Sequence, residues 1–166
     1  MILEPKLIIC DEPVSALDVS VQAQIINLLE KIQKDTRVSY LFITHNMSVV
    51  KHISKRVGVM YLGHLVEEAE TEELFNNPRH PYTRALLSAV APPNPHLRKK
   101  HIALKGEMPS PLDMPTGCVF STRCPRCQAE CLAKRPEFLQ INGLASHKVA
   151  CFYAAKEDRN VNSNND

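Results

Sequence analysis

Leu7-Ile8-Ile9-Cys10-Asp11-Glu12-Pro13, followed by Ser15-Ala16-Leu17-Asp18, is the stretch that decides the fold of this 166-residue chain. An apolar run of strand length stops abruptly at two carboxylates. Asp11 and Glu12 are thereby expected at the carboxyl end of a buried strand, where open α/β sheets bind their ligands. A second apolar run, Val38 to Thr44, ends in His45. Between the two runs Val21, Ile25, Leu28 and Ile32 recur at helical spacing over Val19 to Lys34, with Asp18 or Ser20 available as the cap. A helix near Met47 to Ser54 and a strand over Val57 to Leu62 continue the order. Residues 1–69 therefore predict alternating strands and helices around a parallel sheet. Gly63 marks a tight reversal into His64 to Glu68, which adds an antiparallel strand and makes that sheet mixed.

Further along, Thr71 is placed to cap a short helix through Phe75, with Glu72 and Glu73 at its positive end, and Asn76-Asn77-Pro78 stops it. Pro81 suits the first turn of another helix, with Tyr82, Leu86 and Val90 on one face. Ala91-Pro92-Pro93-Asn94-Pro95 ends that helix and reads as an extended linker, because proline lacks an N–H and restricts the residue before it. The domain boundary is expected there: residues 1–91, then a cysteine-bearing extension over 92–155. The polar, Asn-rich tail over 156–166 is expected to be disordered.

With 44% hydrophobic residues the chain can form one modest core and a small appended module. No apolar run approaches the roughly 18 residues that span a bilayer, and the N-terminus lacks a basic-then-apolar leader, so a soluble chain is expected, with any membrane role exercised through a partner. A net charge of +2 is too mild for a nucleic-acid surface, and Arg98-Lys99-Lys100-His101 reads as a solvated linker.

Two carboxylates and an imidazole expected at neighbouring strand ends look like half of an ATPase site. The other half, a phosphate-cradling G-x-x-x-x-G-K-[ST] loop, is missing: Gly58, Gly63, Gly106, Gly117 and Gly143 have no such spacing. Taken singly, each signal has a plainer meaning. An Asp-Glu pair at a strand end is most often a cap or a surface pair, Cys10 is a small buried hydrophobe, and His52, His64, His80 and His101 read as surface or turn residues. The order of the motifs reverses those odds.

Cys118, Cys124, Cys127, Cys131 and Cys151 crowd the last third of the chain. A module of roughly 35 residues with few large apolar side chains needs a metal or disulfide staple. A reducing compartment favours metal. Cys124-Pro125-Arg126-Cys127 is a C-x2-C pair suited to zinc.

LIICDEPVSALD followed at a distance by LFITH resembles the ATP-binding subunit of ABC transporters, a P-loop NTPase family with a mostly parallel sheet and flanking helices. Asn77-Pro78-Arg79-His80-Pro81-Tyr82-Thr83-Arg84-Ala85-Leu86 and the cysteine tail are similar to the C-terminal extension of the oligopeptide/dipeptide importer branch, and within it to the F-type oligopeptide subunit. The resemblance implies that Asp11 holds magnesium through water, Glu12 orients or deprotonates the attacking water, His45 contacts the γ-phosphate of ATP, and Asp18 works at the seam of an ATPase dimer. It implies a [4Fe-4S] cluster on Cys118, Cys124, Cys131 and Cys151, with zinc as the alternative and Cys127 as a substitute ligand. It implies partners, a second ATPase subunit and transmembrane permeases, and a place on the cytoplasmic face of the inner membrane. The phosphate loop, glutamine loop and signature that the family carries upstream are absent, which predicts the C-terminal half of the domain, very weak ATP binding and no turnover by this chain alone. The alternatives are a stand-alone metal-binding interaction protein, an inert remnant, and a half that pairs with a separately encoded N-terminal piece.

Overall fold

A computed structural model describes residues 4–90, 102–104, 106–110, 112–141 and 146–154. The expected linker at residues 91–95, the basic cluster at 98–101 and the polar tail at 156–166 lie outside the described residues. The chain is a mixed α/β protein in two compact units, Met1–Lys55 and Arg56–Asp166.

In the first unit strand β1, Leu7–Asp11, pairs in parallel with β2, Ser39–Ile43, in a register that runs from Leu7 opposite Ser39 to Asp11 opposite Ile43. Helix α1, Val19–Thr36, makes the crossover that a parallel pair requires. Asp18 is its cap, accepting from the Val21 N–H, and Arg37 closes the other end in a left-handed conformation at φ 56°, its N–H returning to the Gln33 carbonyl. Helix α2, Met47–Ile53, is capped by Asn46, whose side chain accepts from the N–H groups of Ser48 and Val49. Val14, Ile26 and Val49 form the buried core, with Ile25, Phe42 and Ile53 packed against it.

Two expectations for this unit change. The buried face of α1 centres on Ile26, and Leu28 is half exposed, because the helix turns toward Val14 and Val49. The strands are covered on one face only among the described residues. Ile8, Cys10, Tyr40 and Phe42 are half-buried, whereas Leu7, Ile9, Leu41 and Ile43 are 53, 62, 51 and 48% exposed. Side chains alternate across a strand, so these four stand on the same outer face.

In the second unit β3, Arg56–Tyr61, and β4, His64–Glu70, form a hairpin. Both connecting residues have positive φ, Leu62 at 47° and Gly63 at 74°, the backbone of a two-residue turn whose twist matches the strands. β4 also pairs with β6, Lys148–Val149, and β6 with β5, Leu139–Gln140, giving an antiparallel sheet of order β3-β4-β6-β5. The expected single mixed sheet is thus two sheets. β3 takes its ladder from β4 and not from the parallel pair, and its alternating burial is that of a half-buried antiparallel strand. The same pairing joins β4 to the cysteine-bearing segment, and the second compact unit begins at Arg56.

Helix α3, Thr71–Asn76, begins one residue earlier than expected: Glu70 is the cap position, without a side-chain bond, and Thr71 is already helical and buried. Helix α4, Pro81–Ser88, starts at proline as predicted but ends before Val90, and it buries Pro81, Thr83 and Ala85. Tyr82 instead joins Tyr61 and Phe120, at ring separations of 4.8 and 5.5 Å, with Tyr61 edge-on to Phe120 at 5.1 Å. A single 3-10 turn at Ser121–Arg123 and helix α5, Ala129–Ala133, carry the cysteine segment.

Candidate functional site

At the carboxyl end of β1 the ladder continues one residue past the strand, through the Glu12 N–H to the Ile43 carbonyl at 2.9 Å. Glu12 then adopts φ 45°, a left-handed conformation uncommon for a residue with a Cβ, which swings its side chain off the strand. Glu12 Oε1 lies 2.8 Å from Nδ1 of His45, just beyond β2. A carboxylate only accepts, so Nδ1 carries the shared proton. The other oxygen, Glu12 Oε2, is buried with no hydrogen-bond partner. An orphaned carboxylate oxygen beside an exposed imidazole is an arrangement completed by a donor from outside these residues. Asp11 lies on the exposed face of β1, two residues from Ile9.

The loop after Glu12 is fastened by means the sequence does not advertise. Val14 is driven into the core, and the Ser15 N–H and hydroxyl both donate to the Glu12 carbonyl, at 3.3 and 3.0 Å. Gln22 on α1 donates to the carbonyls of Val14 and Leu17, 3.0 Å each, and accepts from Asn46 Nδ2 at 3.5 Å. It therefore ties the loop after Glu12 to the loop after His45. Gln22 was not foreseen, since a polar residue on a helix carries no periodic signal. Asn46, next to His45 and just before an apolar helix, was legible as a cap. Asp18 is exposed, and bonds from the Ser20 hydroxyl and the Val21 N–H hold its carboxyl below the usual range. The geometry gives it a capping role.

In the second unit Cys118, Cys124, Cys131 and Cys151 line one cavity, together with Arg126 and Phe120. Cys127 is not part of the lining. Cys118 and Cys131 are buried, and the other three are half-buried; all are free thiols. The Cys118 N–H donates to the Cys131 carbonyl at 2.8 Å, which draws two of the four together. Burial pushes the thiols of Cys118, Cys127 and Cys151 up from their ordinary values, and that of Cys124 up to about 11. Arg126 opposes that effect at Cys151. Among the described residues no three His, Cys, Asp or Glu side chains stand together as ligands of a metal ion.

Two further groups escaped the sequence reading. Glu67 and His147 are fully buried and 2.8 Å apart, with Glu73 at 3.3 Å on the other ring nitrogen. Burial pulls the His147 imidazole down, but the bonds and charge of Glu67, then of Glu73, outweigh it and hold His147 above its ordinary value. His80, expected at the surface or in a turn, is the cap of α4 but is buried against Phe120, and desolvation lowers it to about 4 despite the charge of Glu67. His64 contacts Arg135 at 3.2 Å, and His52 sits 3.5 Å from Glu30.

Residues 66–131 match the family described as oligopeptide/dipeptide transporter, C-terminal region. The chain matches the C-terminal portion of the ATP-binding proteins of oligopeptide and dipeptide ABC transporters. It is 56% identical to the oligopeptide transport ATP-binding protein OppF of Escherichia coli over 91% of this chain and 45% of that protein. Against the putative oligopeptide transport ATP-binding protein YkfD of Bacillus subtilis the identity is 54%, over 90% and 45%. Against the dipeptide transport ATP-binding protein DppF of Escherichia coli it is 49%, over 96% and 47%. The chain thus spans about half the length of the curated relatives it matches. No helix among the described residues is long and apolar enough to cross a membrane.

Proposed function

We propose that this chain carries the water-activating half of the ATPase site of an oligopeptide importer subunit, which in complete form couples ATP hydrolysis to peptide uptake. The observation that carries it is the Glu12–His45 contact, with a buried, unpartnered Glu12 oxygen, at the carboxyl ends of two adjacent parallel strands. Phosphoryl transfer is catalysed mainly by positioning and by stabilising charge. Glu12 Oε2 is the acceptor that would take a proton from, or orient, the attacking water. Asp11, an oxygen donor beside it, would hold the magnesium of Mg-ATP through water. His45 would face the γ-phosphate with Nε2; because Nδ1 already donates to Glu12, donation from Nε2 calls for the imidazolium form. Asp18 would act at the dimer seam through the exposed start of α1. The wall that grips the phosphates, a glycine-rich loop with its lysine, is not encoded in these 166 residues. The outer face formed by Leu7, Ile9, Leu41 and Ile43 supports that incompleteness, since parallel sheets are covered on both faces. Permeases and a second ATPase subunit are the partners that follow, on the cytoplasmic face of the membrane.

For the cysteine cavity we infer a [4Fe-4S] cluster, with zinc as the alternative. Four soft donors around one cavity support it; the raised thiols would be deprotonated by the metal itself. When bound, the cluster would supply a cross-link between segments that have little core of their own.

The ATPase proposal is tested by fusing this chain behind the N-terminal portion of Escherichia coli OppF that it does not match. The fusion is expected to hydrolyse Mg-ATP, Glu12→Gln to abolish turnover while ATP still binds, and the chain alone to show none. Turnover undiminished by Glu12→Gln would overturn the assignment.

A further inference from the structure

Glu67 sits wholly inside the second unit, where a carboxylate survives only if its oxygens are satisfied. Three donors meet it. Oε1 accepts from the Arg79 N–H at 2.6 Å and lies 2.8 Å from His147 Nε2, while Oε2 accepts from the His80 N–H at 3.0 Å. Of these three donors His80 alone lines the cysteine cavity; Arg79 precedes it in the same turn, and His147 lies four residues before Cys151. His80 lines the cavity and packs its ring 5.6 Å from that of Phe120, two residues after Cys118. His147 immediately precedes β6, which pairs with β4 through Glu67 opposite Val149 and Glu68 opposite Lys148; the Ala150 N–H then bonds the Val66 carbonyl at 2.9 Å, and Cys151 follows. The strand that delivers Cys151 is only two residues long, too short to hold itself in register by ladder bonds alone.

We propose that Glu67 and His147 form a buried positioning pair that keeps Cys151 in register with Cys118, Cys124 and Cys131, so that the cavity presents four thiols at once. The pair acts through β6 and the turn at Pro78 to His80. Its importance to metal loading rests on the metal-thiolate assignment of the cavity, whereas its effect on Cys151 does not.

Both can be read on the full chain, reduced and metal-free, with Co2+ as the probe. Thiolate-to-cobalt charge transfer reports affinity, alkylation followed by peptide mass spectrometry reports each thiol separately, and far-UV dichroism reports folding. Glu67→Gln keeps one acceptor oxygen but turns an amide donor toward the N–H groups on the other side, and His147→Leu keeps the volume without the bond. Both are expected to weaken Co2+ binding by about tenfold, the lower end for residues that support ligands indirectly. Both should also speed alkylation of Cys151 relative to Cys118. His147→Gln, which retains a donor toward Glu67, should recover most of either loss, a rescue that loss of packing alone would not show. Folded variants with unchanged Cys151 reactivity, or all thiols accelerating alike with no rescue by glutamine, would overturn the pair's role. A wild-type chain that binds no Co2+ while Cys151 still responds selectively would remove the metal assignment and leave the positioning role standing.

Discussion

Gly117→Ala is the substitution for which the structure gives the sharpest expectation. A Cβ at Gly117 would lie 2.2 Å from the Cys131 carbonyl oxygen, 2.6 Å from that of Leu132 and 2.7 Å from the Leu132 carbonyl carbon. All three atoms are backbone, so no side chain can rotate away; α5 must shift by roughly 1 Å in a close-packed neighbourhood. Overpacking of that kind costs about 1 to 3 kcal/mol, and losing the Cys118 N–H bond to the Cys131 carbonyl adds about 1 kcal/mol, so a total near 3 kcal/mol is expected. Gly58→Ala is the matched control. Its Cβ would approach only Leu65 Cδ1, at 2.9 Å, the mobile end of a side chain, and alanine suits a strand better than glycine, so the change should stay within about 0.5 kcal/mol. Urea unfolding followed by tyrosine emission is the assay: Tyr61, Tyr82 and Tyr153 lie in the second unit and only Tyr40 in the first, and there is no tryptophan to obscure them. Equal midpoints for the two alanine variants would refute the reasoning. So would a large Gly117→Ala loss with the Cys118 and Cys131 thiols reacting as in the unaltered chain.

Acid should weaken the second unit through His80. Its folded value, about 4, is below the ordinary 6.5, so the unfolded chain binds the extra proton and stability falls as pH drops from 6.5 through about 4. The window corresponds to about 3 kcal/mol at most. His80→Asn, which can still accept the Tyr82 N–H bond that caps α4, should flatten that slope in pH-dependent unfolding; an unchanged slope would rule His80 out. His147 acts in the opposite sense, its contribution being present below its ordinary value and lost as pH rises through its higher folded value. On the outer face of the parallel pair, Ile9→Lys with Leu41→Glu should reduce self-association of the isolated chain in sedimentation, because four apolar side chains there lack cover; unchanged association would move the sticky surface elsewhere.

The strand ends, the helix expected over Val19 to Lys34, Asp18 as one of its two candidate caps and the turn at Gly63 were legible in the sequence, because each depends on a local rule: apolar spacing, a side chain reaching its own helix, a backbone that needs positive φ. Local rules also brought out Asp11, Glu12 and His45 as candidates. That Glu12 and His45 meet, 33 residues apart, was decided by parallel pairing in one register, together with a left-handed turn at Glu12 that no pattern announces. The partition of strands into two sheets and the rotation of α1 toward Ile26 likewise depend on which partners were within reach. Glu67 and His147 make the contrast plainest. In sequence they are an acidic residue in a strand and a histidine 80 positions away, both of types that usually face solvent. Only tertiary structure turns them into a buried pair, since removing both from water is tolerable because their mutual hydrogen bond is joined by those of Arg79, His80 and Glu73.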